Sequence, residues 1–320
     1  MDDAGLAQLE AAALAYDALV DATPDIDRFC SSTDWVVPAQ QAFGRGGRVI
    51  VVHGDGAAVA LAEARLRGGG LALCGLDPVW GYARPVVGPD PVAGVDALIG
   101  VLERVGRWQA TVLTGVRPGS PFGAELLGRL GRSHRLLREP GMACQVVRLD
   151  GGVEGWLGRR SARFRKNARQ ARRRAGDAGV TVELLRGGGP ELVERAVAVE
   201  RRSWKGRRGG GLVDPGFARF YHQMARRLAA SGRLRAGFAR AGEQDVAYIL
   251  GAVRGADYRG LQISFDEAWA PWSLGNLLQL AQMEALVEEG VTRYDLGMDM
   301  AYKRSWADEA TASETLVVLR

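Results

Sequence analysis

Between residues 258 and 306 the pattern of apolar and polar positions changes period twice. Leu261-Gln262-Ile263-Ser264-Phe265-Asp266 alternates with the two-residue period of a strand. Leu274, Leu277, Leu278, Ala281 and Ala285 then recur at the spacing of one helix face, and Gly290 ends that helix. Thr292-Arg293-Tyr294-Asp295-Leu296-Gly297 returns to a short strand. The rest of the chain is organised around this strand–helix–strand unit.

Upstream, the same criteria predict a helix over residues 4–20, with Leu6, Leu9, Ala13 and Leu14 in phase. A short strand at Asp34-Trp35-Val36-Val37-Pro38 and a hairpin of residues 48–53 and 57–65 around Gly54-Asp55-Gly56 follow. Next come a strand at 71–75, a helix at 91–106 and a strand at 109–114. A helix at 121–130 and a strand at 145–149 complete the first half, and Gly151-Gly152 marks the expected boundary. Beyond it the chain reads as a helix over 161–178, a strand at 180–185, a helix over 190–204 and a helix opened by Asp214-Pro215. Three strands at 234–239, 246–253 and 258–265 lead into the opening unit. From the strand at 180–185 onward the second half is β-α-α-β-β-β-α-β, and the first carries a coarser β-β-α-β-α-β signal. This is an α/β fold with an α+β mixed sheet. Domains are expected at residues 1–150 and 151–320, the first a degenerate copy of the second.

Composition narrows the class. Hydrophobic content of 47% and charged content of 25% are those of a globular chain. No apolar run reaches the roughly 18 residues of a transmembrane helix, and Met1-Asp2-Asp3 opens no secretory signal, so a cytoplasmic location is expected. Cys30, Cys74 and Cys144 are scattered, as are His53, His134 and His222, which predicts neither a disulfide framework nor a metal site. The net charge of +5 is unevenly spread. Arg159, Arg160, Arg163, Arg165, Lys166, Arg169, Arg172, Arg173 and Arg174 crowd one stretch that holds no acid. Like charges that dense repel one another along a helix. They point to an anionic partner, whether tRNA, another polyanion, a nucleotide phosphate or an anionic membrane surface; a solvated helix face neutralised by the acidic N-terminus is the plainer alternative.

Trp272, Ser273, Leu274, Gly275 and Asn276 open the helix after the Leu261–Asp266 strand. A helix N-terminus offers N–H groups and about half a positive charge to a phosphate, so these are the candidate cofactor-binding residues; an ordinary strand-to-helix turn is the plainer alternative. Tyr302-Lys303 can place an ammonium beside a developing oxyanion, or can simply lie over Trp306. Asp295 and Glu200, at the ends of a strand and a helix, are candidate carboxylates for orienting or deprotonating an amine, or partners of nearby arginines. Trp204, Lys205, Gln262 and Asp266 are candidate substrate contacts.

Five blocks carry a resemblance: Phe164-Arg165-Lys166-Asn167-Ala168-Arg169-Gln170-Ala171-Arg172-Arg173, Glu200-Arg201-Arg202-Ser203-Trp204-Lys205-Gly206, Pro271-Trp272-Ser273-Leu274-Gly275, Tyr294-Asp295-Leu296-Gly297 and Tyr302-Lys303-Arg304-Ser305-Trp306. In this order they resemble the GNAT acyltransferase superfamily. More narrowly they are similar to its BioF2-like and CelD-like acetyltransferase branch, which is related to the FemAB peptidyltransferases. The resemblance covers residues 155–320 and implies two GNAT domains in tandem. It implies an acyl-CoA donor, acetyl-CoA above all, and an amine acceptor of small-molecule, cell-envelope or natural-product type, with no metal. Against the usual phosphate loop of that superfamily only Gly275 matches, with Ala270 and Ser273 replacing the expected residues. In Fem-like enzymes an aromatic–Lys pair near the C-terminal end acts on the tetrahedral intermediate, and Tyr302-Lys303 matches that pair by motif. The expected activity is N-acyl transfer. An aminoacyl-tRNA-dependent, Fem-like transferase and a catalytically silent binding module are the alternatives.

Overall fold

In the computed structural model, which describes residues 4–54 and 56–320, the helix predicted over residues 4–20 is two, α1 (Ala4–Ala11) and α2 (Ala13–Ala22). Helix α3 (Arg28–Ser31) follows. The predicted strand at 34–38 is instead part of helix α4 (Thr33–Phe43). Its residues from Thr33 to Ala39 are all buried, so no polar face survived to reveal the helical period. The Asp17 carboxylate holds the start of α4 by accepting from the Thr33 N–H (2.9 Å) and Oγ1 (3.1 Å).

Strands β1 (Val49–Gly54), β2 (Ala57–Arg65) and β3 (Leu71–Gly75) form an antiparallel meander, as the hairpin reading expected. Asp55, in the predicted turn, lies outside the described residues. The two-residue β4 (Val86–Val87) pairs with β2. Helix α5 (Pro91–Val105), whose first turn is capped by Asp90, leads to β5 (Ala110–Val116), parallel to β3. Helix α6 (Pro121–Leu130) and strand β6 (Arg135–Arg148) follow. Leu61, Leu73 and Leu113 on one sheet face bury against Leu98, Phe122 and Leu126 of the two helices.

Next come α7 (Gly152–Gly158), α8 (Ala162–Asp177), β7 (Val180–Arg186), α9 (Pro190–Glu200) and α10 (Pro215–Ala230). The meander β8 (Leu234–Ala241), β9 (Gln244–Arg254) and β10 (Asp257–Phe265) precedes α11 (Leu274–Glu288), β11 (Arg293–Met298) and β12 (Glu309–Leu319). Helix α9 stops four residues short of the predicted Trp204. The Glu200 carboxylate folds forward, accepting from Ser203 Oγ at 3.1 Å and the Leu212 N–H at 3.4 Å, and ties the next segment into turns.

The chain forms two units, Met1–Met142 with Ala312–Arg320, and Ala143–Thr311. The last nine residues belong with the first because β12 pairs antiparallel with β5, from Glu314 opposite Val116 to Leu319 opposite Ala110. A linear division at 150/151 does not contain this return. Strands in the second unit run β6-β11-β10-β9-β8-β7. Each unit carries the same run of three antiparallel strands, one helix and one parallel strand: β1-β2-β3-α5-β5 in the first and β8-β9-β10-α11-β11 in the second. Among the described residues no helix is long and apolar enough to cross a membrane.

Candidate active site

Strands β10 and β11 are parallel and paired only at their first residues. The register runs Asp257–Arg293, Tyr258–Tyr294 and Arg259–Asp295, and then stops. Strand β10 bulges against β9 between Gly260 and Gln262, and β11 shifts register against β6 after Asp295. Both distortions bend a strand away from its neighbour. Past residues 259 and 295 the two strands form a wedge.

A wedge leaves carbonyls without a strand partner, and buried carbonyls need one. Side chains supply it here. The Leu261 carbonyl accepts from Tyr221 OH at 3.3 Å, and that of Ile263 from Lys205 Nζ at 3.0 Å. On the opposite strand the Met298 carbonyl accepts from Lys303 Nζ at 3.0 Å. Lys205 also reaches Gln262 Oε1 at 3.3 Å. Burial pushes the Lys205 ammonium below its ordinary pKa, and the Glu200 carboxylate opposes that shift. Lys303 falls further, to about 8. Burial is the largest cause, the Arg259 charge adds to it and Lys205 adds a little more, while Asp295 and Cys144 pull the other way. An amine with a pKa near neutrality exchanges a proton readily, and in its charged form it is a poorly solvated cation.

The two carboxylates read as candidates for orienting or deprotonating an amine, or as partners of nearby arginines, are both engaged. Asp295 accepts from Arg259 at 3.1 Å and from the Gly297 N–H at 2.7 Å, buried with its arginine. Both of its oxygens are therefore used in positioning β11. Glu200 is fully buried at the end of α9 and holds Ser203 and Leu212. Asp266 is likewise occupied, by Arg202 at 2.6 Å and by the Ala268 N–H at 3.0 Å. Trp204 is half exposed, with the Arg208 guanidinium 5.5 Å from its ring centroid. Thus Lys303, Asp295, Lys205 and Gln262 are brought to the wedge, and Glu200 stands behind Lys205. Arg259 was not singled out from the sequence, and Tyr221, expected only as a core residue of the helix opened by Asp214, is buried and also reaches the wedge. The one available signal was a guanidinium, Arg259, in the apolar run of a central strand.

Tyr302 is half exposed, and Lys303 Nζ lies 5.9 Å from its ring centroid. Tyr302, Asn276 and Ser305 line a cavity of about 210 Å³ with Phe164, Asn167 and Trp306. The segment bearing Lys303 is anchored from below. Trp306 stacks on Trp156 at 5.3 Å, Phe164 packs edge-on against both, and Trp156 Nε1 donates to the Trp306 carbonyl at 2.9 Å.

The predicted loop before α11 is a 3₁₀ turn, Glu267–Trp272, and its left-handed residue is Ser273 (φ 56°). Gly275 is inside the helix, and a Cβ there would meet Ile263 and Phe265 only at ordinary contact distances of 3.7 and 3.9 Å. Neither backbone conformation nor crowding within the chain requires that glycine. Leu274 is fully buried and Trp272 packs beside Trp269. Of the five candidate residues, Asn276 is the one that lines the 210 Å³ cavity. The Asn276 and Leu277 N–H groups are taken by the Ser273 carbonyl, and those of Leu274 and Gly275 have no acceptor among the described residues.

The basic run divides in two. Arg159 and Arg160 precede α8 and clamp Asp308, while Arg160 also donates to the Trp306 carbonyl. Burial raises the Asp308 pKa, but hydrogen bonds from Arg159 and the Arg148 N–H, with both guanidinium charges, bring it below the usual carboxylate range. Arg165 donates to the Arg160 carbonyl, Arg172 pairs with Glu284 at 2.7 Å and Arg174 reaches the Pro271 carbonyl. Arg163, Lys166, Arg169 and Arg173 remain, exposed and without an ion-pair partner among the described residues. They occupy the face of α8 opposite the buried Ala168, Ala171 and Ala175, over about 15 Å of helix.

Residues 162–304 match the family described as the acetyltransferase (GNAT) domain. The crystal structure of FemX is similar over 95% of this chain and 95% of its own, with 13% identity and a TM-score of 0.68. A conserved protein of unknown function from Bacteroides thetaiotaomicron VPI-5482 is similar over 96% of this chain and 97% of its own, at 13% identity and a TM-score of 0.66. L-PGS from Bacillus licheniformis is similar over 94% and 90%, at 12% identity and a TM-score of 0.60. At such identities the likeness is one of fold. Comparison with curated proteins gives no match.

Proposed function

We propose, from the premise that residues 162–304 form a domain of the GNAT acetyltransferase family, that this protein moves an acyl group from a coenzyme A thioester to an amine by direct attack. One observation carries the reading: the ammonium of Lys303, with its pKa near 8, stands at the mouth of the wedge between β10 and β11. The thioester supplies an activated acyl carbon. The amine nitrogen attacks it, a C–N bond forms, the C–S bond breaks and the thiol leaves with a proton. Lys303 holds the negative charge that develops on the acyl oxygen. Asp295 acts as a positioning residue, fixing Arg259 and the turn at Gly297. Lys205 and Gln262 hold the β10 side of the wedge. The Leu274 and Gly275 N–H groups suit the donor's phosphates.

Mass spectrometry of the purified protein for bound coenzyme A, with calorimetric titration of acetyl-CoA, tests this donor. Saturable binding supports it, and no heat up to millimolar donor would remove it. The exposed cations of α8 favour a second reading, in which the donor is an aminoacyl-tRNA. That complex should weaken steeply with salt. Reversal of Arg163 and Arg173 to Glu should abolish tRNA binding and leave acetyl-CoA binding unchanged.

A further inference from the structure

The first unit contains a cleft of about 480 Å³. Ala62, Cys74 and Val112 stand side by side across β2, β3 and β5, and all three line it. Their sequence neighbours Leu61, Leu73 and Leu113 point to the other face, into the core beneath α5 and α6. The two faces of this sheet therefore differ. One is packed by helices, and the other bears small side chains at the cleft, Ala62, Ala64 and Thr114 among them. Trp80 forms one wall. Its ring is braced by Trp35 at 4.8 Å and by Phe43 at 5.6 Å, so it is a rigid, partly exposed aromatic surface.

The charges around the cleft do not balance. Glu63 lines it but is paired with Arg48 at 2.7 Å. Asp77 is buried, and its carboxylate accepts from the Trp80 and Tyr82 N–H groups at 3.0 and 2.9 Å. Arg45 and Arg65 also line the cleft, exposed and with no ion-pair partner among the described residues. The open charge is thus two guanidiniums, groups that bind carboxylates and phosphates in fork geometry.

We propose that this cleft is a second ligand site, separate from the acyl-transfer wedge, and that it takes a small organic anion with a flat apolar body. The anion lies on Arg45 and Arg65, and the body lies over the small-residue floor against Trp80. This assignment stands whether or not the protein is an acyltransferase.

Cys74 supplies a local reporter, because Cys30 and Cys144 are buried while Cys74 is partly exposed in the cleft floor. The experiment titrates the full-length protein with 8-anilinonaphthalene-1-sulfonate, a flat aromatic anion, and follows dye fluorescence. In parallel it follows iodoacetamide alkylation of Cys74, at alkaline pH because burial raises that thiol's pKa. The expected result is one saturable site at which bound dye slows alkylation of Cys74. Arg45→Gln with Arg65→Gln should weaken binding about tenfold or more, the scale of losing charge-assisted hydrogen bonds. Trp80→Leu should weaken it while leaving its salt dependence in place. Both arginines are on the surface, so circular dichroism should show the double variant folded. Dye affinity unchanged in the double variant, Cys74 alkylation indifferent to dye, or no saturable binding would each overturn the proposal.

Discussion

Replacing Lys303 with Met removes the ammonium that donates to the Met298 carbonyl at the end of β11 while keeping a chain of similar length. With a pKa of about 8, some nine in ten Lys303 side chains carry a proton at pH 7. Loss of a single donor to an acyl oxyanion costs about 10²–10³ in kcat. Lys303→Met should therefore show that loss at pH 7 in an assay of thiol release from acetyl-CoA with a panel of primary amines. The wild-type rate should fall above pH 8 as the ammonium discharges. Lys303→Arg, charged throughout, should lack that alkaline limb. Folding should not be the cause. Burial depresses the Lys303 pKa from 10.5, so folding carries the penalty of a buried charge in full below about pH 8 and sheds it as pH rises toward 10.5. Lys303→Met should accordingly be no less stable than wild type at pH 7. The titration itself can be read without substrate, by trace acetic anhydride labelling of Lys303 across pH with mass spectrometry. A Lys303→Met enzyme within threefold of wild type, or a Lys303 whose labelling midpoint lies at the ordinary lysine value of 10.5, would overturn this role.

Asp308→Ala strands the buried Arg160 guanidinium and should destabilise the protein by about 3–5 kcal/mol, measured by urea unfolding. In the wild type the Asp308 contribution should be present above pH 4 and fade as pH falls through its depressed pKa. Gly275→Ala should raise stability by up to about 1 kcal/mol, as in an ordinary helix interior, without weakening acetyl-CoA binding; a large loss of affinity would show that the donor backbone packs onto that position. Gly211→Ala should be destabilising by at least about 1 kcal/mol in thermal unfolding, because φ is +63° and the new Cβ would overlap the Glu200 carboxylate. Asp295→Asn removes a charge that raises the Lys303 pKa, so the labelling midpoint of Lys303 should move lower.

What the sequence determined by itself was local and periodic. Helix α5, with one buried face, left a period of 3.6 in the chain, while β9 and α11, buried on nearly every side, were legible from apolar runs bounded by turn glycines. Burial on every side erased the period at α4, and β12, although its burial alternates, was not predicted; its pairing with β5, about 200 residues away in the chain, is a tertiary contact. Lys303 and Lys205 could be singled out as rare lysines in an arginine-rich chain. Their depressed pKa values could not, since these arise from burial and from Arg259, a neighbour brought in by strand pairing. Only the tertiary structure decided that Asp295 is spent on Arg259 and Gly297, that Arg159 and Arg160 clamp Asp308, and that four cations on α8 stay open. A side chain's type sets what it can do, and the partners that the fold places within about 3 Å decide which of those capacities remains available.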